Sequence, residues 1–217
     1  MGYVGYPACW VDTSYPFPAT LTVTPLSGAV TTLFASDLQV LKWRVEAQGG
    51  NAYVAKMAVG TQFSGSGSWQ VTGQTLYKNS AVSTATLTRF GGLIVIVSDA
   101  SEDVVSSGAY NDYWLYLTIS GAGSAGDTLT VTLLEDSVPS TGLVGPTGYV
   151  YNPLGDSLYG SAGGLCGAGD PNFVWTGAAS HTMPTPACGI ASYGTPDYAD
   201  GSLIGSWTVT QNTLTAP

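Results

Sequence analysis

From Thr20 onward apolar and polar residues alternate with a period of two, the mark of a strand with one buried face and one wet face. Thr20-Leu-Thr-Val-Thr24 shows it first. Leu38-Gln-Val-Leu-Lys-Trp-Arg-Val-Glu46 follows, with Leu41, Trp43 and Val45 on one side and Val40, Lys42, Arg44 and Glu46 on the other. Three charges on that second side make it the wet face. Further strands are read at Tyr53–Val59, Trp69–Val71, Gln74–Tyr77, Ser83–Arg89, Leu93–Val97, Tyr113–Ile119 and Thr128–Leu134. Turn formers lie between them: Gly49-Gly50-Asn51, Gly65-Ser-Gly67, Lys78-Asn79, Gly91-Gly92, Gly108 and the run from Gly121 to Gly126. Short strands separated by glycine turns predict an all-β fold, an antiparallel β-sandwich of immunoglobulin-like or jelly-roll type. No helix is expected beyond one turn in Asp99–Val105, where Ser98 or Asp99 is placed to cap it.

The alternation stops at both ends, which divides the chain into three parts. Residues 1–18 read as an extended arm, because Pro7, Pro16 and Pro18 block both helix and central-strand pairing. Residues 19–136 form the sandwich. Residues 137–217 contain no Lys or Arg and are rich in Gly, Pro, Tyr and Ser. Sequence of that kind buries too little apolar surface to offset its ordering entropy, so it needs the sandwich or neighbouring copies to pack on. Two short strands are expected in this extension, Asn172–Trp175 and Ile204–Thr210, with Trp175 and Trp207 as anchors.

Composition narrows the partners. Charged residues are 9% of the 217, against about a quarter in an ordinary soluble chain. The net charge is −9, and all five bases, Lys42, Arg44, Lys56, Lys78 and Arg89, fall between positions 42 and 89. Clustered bases are what phosphate backbones and anionic bilayers require, so nucleic acid and membrane surfaces are disfavoured. The longest apolar run, Leu93–Val97, has the length of a strand and excludes a membrane-spanning helix. The N-terminus lacks the basic and apolar regions of a signal peptide. A leader already removed fits an exported protein; a true start at Met1 fits a virion protein.

There are three cysteines, none in a metal-type pair. Cys166 and Cys188 flank a Gly/Pro-rich segment and are read as a disulfide of an oxidising compartment, leaving Cys9 free or paired with another chain. Three buried thiols are the plainer alternative.

Catalytic chemistry finds little support. His181 stands alone, no G-x-S-x-G motif accompanies it, and no cysteine lies near a base. Glu46, Glu102 and Glu135 are the carboxylates a glycosidase would draw on, yet Glu46 and Glu135 end strands, where solvated acids are ordinary. The chain is therefore not read as an enzyme, and no cofactor is expected. Calcium is the one ionic candidate. Asp99, Glu102 and Asp103 bunch in one loop and Asp197 and Asp200 in another, although neither follows an EF-hand pattern and solvated acids explain both. Trp10, Trp69, Trp114 and Trp175 are too scattered in sequence to define a sugar-stacking platform, and core packing is the default for them.

Several motifs occur in an order that resembles the β-sandwich module of prokaryotic cell-surface filament, pilus and surface-layer proteins. They are Leu38-Gln-Val-Leu-Lys-Trp-Arg-Val45, Gln74-Thr-Leu-Tyr-Lys-Asn79, Tyr113-Trp-Leu-Tyr-Leu-Thr-Ile119 and Ala125-Gly-Asp-Thr-Leu-Thr-Val131. The run Asn172-Phe-Val-Trp-Thr176 with Ser180 and His181, followed by Asp197, Asp200 and Ile204–Thr210, resembles a closing motif of such proteins. The resemblance implies a structural extracellular role with no catalytic residue to carry over.

The resulting expectation is a self-assembling subunit of an extracellular filament, pilus or surface layer, whose partner is a homo-polymer of identical copies. Tyr3, Tyr6, Trp10, Tyr15 and Phe17 load the arm with aromatics suited to an interface. The exchanged strand is read as Thr20–Thr24, with Leu21 and Val23, or as Trp207–Thr210, with Trp207 and Val209. A viral capsid or decoration protein in a virion is the alternative, and a carbohydrate-binding sandwich is a further one.

Overall fold

The computed structural model describes residues 19–98, 103–135, 173–177, 199–200 and 206–217. Among them every regular element is a strand. The first ten are β1 (Thr20–Pro25), β2 (Asp37–Gln48), β3 (Ala52–Ser64), β4 (Gln70–Lys78), β5 (Ala81–Val82), β6 (Thr86–Phe90), β7 (Leu93–Val97), β8 (Asp103–Val105), β9 (Tyr110–Ser120) and β10 (Thr128–Leu133). β11 (Phe173–Thr176), β12 (Ala199–Asp200), β13 (Ser206–Trp207) and β14 (Gln211–Thr215) follow.

Sheet I runs β13-β1-β2-β9-β4-β5. Sheet II runs β12-β11-β3-β10-β14, with β7 and β8 also on β3 and β6 hydrogen-bonded to β7. Pairing is antiparallel except between β1 and β13. The long strand β3 is the spine of sheet II. It pairs with β7 and β8, and with β10 and β11. Two sheets of this kind, packed through their apolar faces, make a β-sandwich.

The core lies between the sheets. Trp43 of β2 and Tyr113 of β9 are fully buried and stacked, with ring centroids 5.4 Å apart and planes inclined by 14°. Leu21, Val54, Leu117, Leu129, Phe173, Trp175 and Leu214 join the same cluster. β11 and β14 therefore put side chains from beyond position 137 into the core of the sandwich. Trp175 is buried there, and Trp207 packs against it half-buried.

Four local expectations need correction. The register of β2 against β9 shifts between Gln39 and Leu41. This bulge turns Val40 inward, so Val40 is fully buried instead of sharing the wet face with Lys42. Trp69–Val71 and Gln74–Tyr77 merge into β4, again through a bulge, between Val71 and Gly73. In the segment read as a helical turn, Asp103–Val105 is strand β8, because Asp103 and Val105 face the core around exposed Val104 and pair with β3. The strand expected at Ile204–Thr210 is described only at Ser206–Trp207; the stronger strand is β14, beyond it.

Candidate functional site

The C-terminal strand occupies a slot between two elements distant in sequence. On one side β14 pairs with β10, Thr128 opposite Thr215 through Thr132 opposite Gln211. On the other side Thr215 accepts from Leu33 N at 3.0 Å and donates its own N–H to Thr31 O at 2.8 Å. Asn212 closes the slot from the side. Its Nδ2 donates to Val30 O at 2.7 Å and to Val40 O at 2.9 Å. Leu214 is fully buried and Ala216 nearly so. A five-residue strand thus delivers main-chain bonds at its edges and a side chain to the core. Those are the two contributions by which an added strand binds a sheet.

β1 is held in the same manner at the far edge of sheet I. Leu21 and Val23 are fully buried. β2 flanks β1 on one side, and β13 caps the other with Thr22 opposite Ser206 and Val23 opposite Trp207. Thr208 N donates to Val23 O at 2.9 Å. Trp207 meets Phe173 edge-on, with centroids 5.5 Å apart. Both segments read as exchangeable strands therefore sit beside each other at one sheet edge. Val209 points away from them and is 64% exposed.

A polar cluster bolts the two sheets together inside the core. Asp103, on sheet II, receives three donors from sheet I. Lys78 Nζ reaches Oδ1 at 2.5 Å, Asn111 Nδ2 reaches Oδ1 at 3.1 Å, and Tyr113 OH reaches Oδ2 at 2.6 Å. Asp103 and Asn111 are buried, and Tyr113 is fully so. Burial pushes the Tyr113 hydroxyl well above its usual range, and the Asp103 charge pushes it the same way. A buried carboxylate without partners would be strongly disfavoured; here charge-assisted donors meet both its oxygens.

A second carboxylate organises the loops at one end of sheet II. Asp127 Oδ2 accepts from Ser124 N at 2.8 Å and Trp69 Nε1 at 3.1 Å, and Oδ1 accepts from Ser66 N at 3.0 Å. The Ser124 N–H, followed by those of Ser66, Trp69 and Gly67, holds the carboxyl below its usual 3.8, against the opposing effect of burial. Gly65 has φ +118°, and a Cβ there would overlap the Asp127 side chain. The 65–67 turn needs glycine for this reason.

The remaining expected site residues fall as follows. Tyr3, Tyr6, Trp10, Tyr15 and Phe17, the pair Cys166 and Cys188, His181, and the calcium candidates Asp99, Glu102 and Asp197 lie outside the described residues. Asp103 belongs to the inter-sheet cluster. Asp200 pairs through its backbone, opposite Val174. Among the described residues no group of three His, Cys, Asp or Glu is placed to hold a metal ion. Sequence reading missed Asp103, Asn111, Asp127 and Asn212 as organisers. The inward phase of Asn111 and Asp103 within their strands was the available signal.

No protein-family model matches the chain, and no curated protein matches it. Solved structures similar to it include the pilus backbone protein RrgB of Streptococcus pneumoniae. One such structure is 9% identical and covers 53% of this chain and 51% of its own, with a TM-score of 0.30. Two structures of full-length RrgB are 10% and 11% identical, each over 54% of this chain, with TM-scores of 0.30 and 0.31. The chain spans about half the length of the first (51%) and under a quarter of the other two (23% and 22%). The two sheets and the apolar core between them define the sandwich. No described helix is long and apolar enough to cross a membrane.

Proposed function

We propose that the chain is a structural subunit of an extracellular polymer, a filament, pilus or surface layer, and that copies join by exchanging an edge strand. The observation that carries this reading is the seating of β14. The strand pairs with β10, bonds to residues 31 and 33, and fills the core with Leu214. A slot that accepts a strand from its own chain accepts the same strand from a sister copy, since the bonds are identical. Such a contact is heterologous, joining different surfaces of the two partners, and an unclosed series of them grows a filament. The adjoining β13, on the exposed edge of β1, extends the exchangeable run to residues 206–215. The scarcity of charge and the abundance of hydroxyl side chains suit a surface that meets copies of itself.

The experiment is a truncation with rescue. The intact chain, concentrated without denaturant, is expected to form polymers visible by negative-stain electron microscopy. A chain lacking residues 211–217 should form none. A synthetic peptide of residues 206–217 should bind the truncated chain one to one and leave it a capped monomer. An intact chain that stays monomeric at every concentration overturns the reading, and so do unaltered polymers from the truncated chain.

A further inference from the structure

The outer face of sheet I carries a row of aromatic rings that the core does not use. On β9, Tyr110, Trp114 and Tyr116 point away from the core, alternating with buried Asn111, Tyr113 and Leu115. A rise of about 3.4 Å per residue spaces Trp114 and Tyr116 about 7 Å apart and sets Tyr110 about 14 Å from Trp114. Tyr77 of β4 lies opposite Trp114 in the pairing and 5.0 Å from the Tyr116 ring. Tyr110 is 49% exposed. Beside these rings lies an open depression of about 610 Å³, lined by Asn79, Ser80, Tyr110, Asp112 and Trp114 among others. That volume falls within the roughly 300–1,000 Å³ of ligand sites.

The polar groups around the rings are fixed before any ligand arrives. Arg44 grips Asp112 with both ends of its fork, Nε at 2.7 Å and Nη2 at 2.9 Å, and its guanidinium lies 3.5 Å from the Tyr110 ring centre. Asn79 and Ser80 form a two-residue hairpin turn with φ of 49° and 71°. Both values lie in the left-handed region that such a turn demands. Asn79 is tied to β9 by its Nδ2 on Asn111 Oδ1 at 2.9 Å and by its Oδ1, which accepts from Asp112 N at 2.8 Å. This presents the exposed Ser80 at the rim. Gln39 Nε2 donates to the Tyr116 hydroxyl at 2.7 Å further along the row.

The charge pattern selects the ligand class. On the outer face of sheet I, Lys42, Arg44 and Glu46 of β2 and Asp112 of β9 carry two positive and two negative charges, which balance. Lys42 lies over the Trp114 ring, 5.2 Å from its centre. Phosphate-bearing ligands need a net excess of bases, which is missing here. An apolar protein partner would bury the Arg44–Asp112 pair at a desolvation cost. A neutral oligosaccharide meets neither objection. Its C–H faces stack on tyrosine and tryptophan, and its hydroxyls donate to the lone pairs of Asp112 that Arg44 leaves open and exchange hydrogen bonds with Ser80. The linear row of rings fits a ligand that is itself a chain.

We propose that the outer face of sheet I, centred on Tyr110 and Trp114 beside the Arg44–Asp112 pair, binds a neutral glycan chain. The site lies away from β14 and its slot and does not depend on polymer formation. The test is calorimetric titration of the full chain with cellohexaose, chitohexaose and mannohexaose. At least one is expected to bind, and both Trp114→Ala and Tyr110→Ala should weaken it at least tenfold. Tyr110 is half exposed, so its replacement leaves the fold intact even if Trp114→Ala loosens β9. Three results overturn the proposal: no binding of any of the three, binding that both variants retain, or a Tyr110→Ala variant that alters only self-association.

Discussion

The Tyr113 hydroxyl donates to Asp103 Oδ2 at 2.6 Å, and that bond crosses from sheet I to sheet II inside the core. Asp103 also accepts from Lys78 and Asn111, so one carboxylate gathers three donors of the opposite sheet. Removing it leaves the buried Tyr113 hydroxyl without its acceptor and Asn111 Nδ2 with Val104 O alone, while Lys78 turns to solvent. Asp103→Ala should cost about 3 kcal/mol of unfolding free energy, the scale of a broken buried ion pair whose Lys78 end is partly solvated. Tyr113→Phe deletes a single donor and should cost about 1 kcal/mol. Chemical denaturation read by tryptophan fluorescence measures both. Equal costs for the two variants would show that Asp103 is not the hub.

The same tyrosine gives the fold an alkaline limit. Its hydroxyl titrates well above the usual 10.0 when folded. Above pH 10 the unfolded chain releases this proton while the folded protein keeps it. The unfolded state then binds fewer protons, so unfolding free energy falls as pH rises. Below pH 10 the contribution is fully present. Tyr113→Phe should flatten the loss of stability above pH 10 by one proton's worth of slope, as measured by denaturation at successive pH values. An unchanged slope would contradict the burial of the hydroxyl.

Asp127 sets the opposite limit. Its carboxyl is held below 3.8 by the N–H groups of Ser124 and Ser66, with Trp69 and Gly67. The stabilisation is present above 3.8 and lost as pH falls through the lower, folded value. Asp127→Asn should be less stable at neutral pH and show a shallower acid transition. In the intact protein the Trp69 fluorescence should report the acid loosening of the 65–67 and 121–126 loops, and single-tryptophan variants isolate that signal.

The sandwich was legible in the sequence because period-two alternation is a direct record of burial on one face. β2, β9 and β10 show it plainly, whereas β7, Leu93–Val97, is apolar throughout and buried at four consecutive positions. Bulges are not recorded this way. The extra residue at Val40 shifts the phase within one strand, and the wet-face assignment of Val40 failed for that reason. β14 was missed because Gln211-Asn-Thr-Leu-Thr215 carries only Leu214 as an apolar signal. What places it is the pairing with β10 and the two bonds of Asn212, both long-range. Asp103 was read as a loop acid near Asp99 because sequence does not show that Lys78, Asn111 and Tyr113 converge on it.

The extracellular reading carries a covalent consequence for residues beyond the described ones. Mass spectrometry of the unreduced protein should find Cys166 joined to Cys188, because a Gly/Pro-rich segment of low apolar content gains most from a staple. Free thiols at both positions in protein taken from its native source would remove the oxidising compartment from the proposal.

Asn212 offers the sharpest test of how β14 is held. Its side-chain amide bonds to the carbonyls of Val30 and of Val40 in β2, beside the main-chain bonds that Thr215 makes with Thr31 and Leu33. Asn212→Ala leaves both carbonyls without that donor and should cost about 1–2 kcal/mol. Leu214→Ala removes a fully buried side chain and should cost about 2–5 kcal/mol. The two differ in what they loosen. If β14 opens as a unit, Asn212→Ala should speed hydrogen exchange at the amides of Thr215 and Leu33, which are bonded across the slot, while the β2 and β9 amides keep their protection. Such selective opening is the step that strand exchange requires. Uniform acceleration throughout both sheets would mean that β14 cannot leave without global unfolding, and exchange through this strand would then be too slow to build a polymer under native conditions.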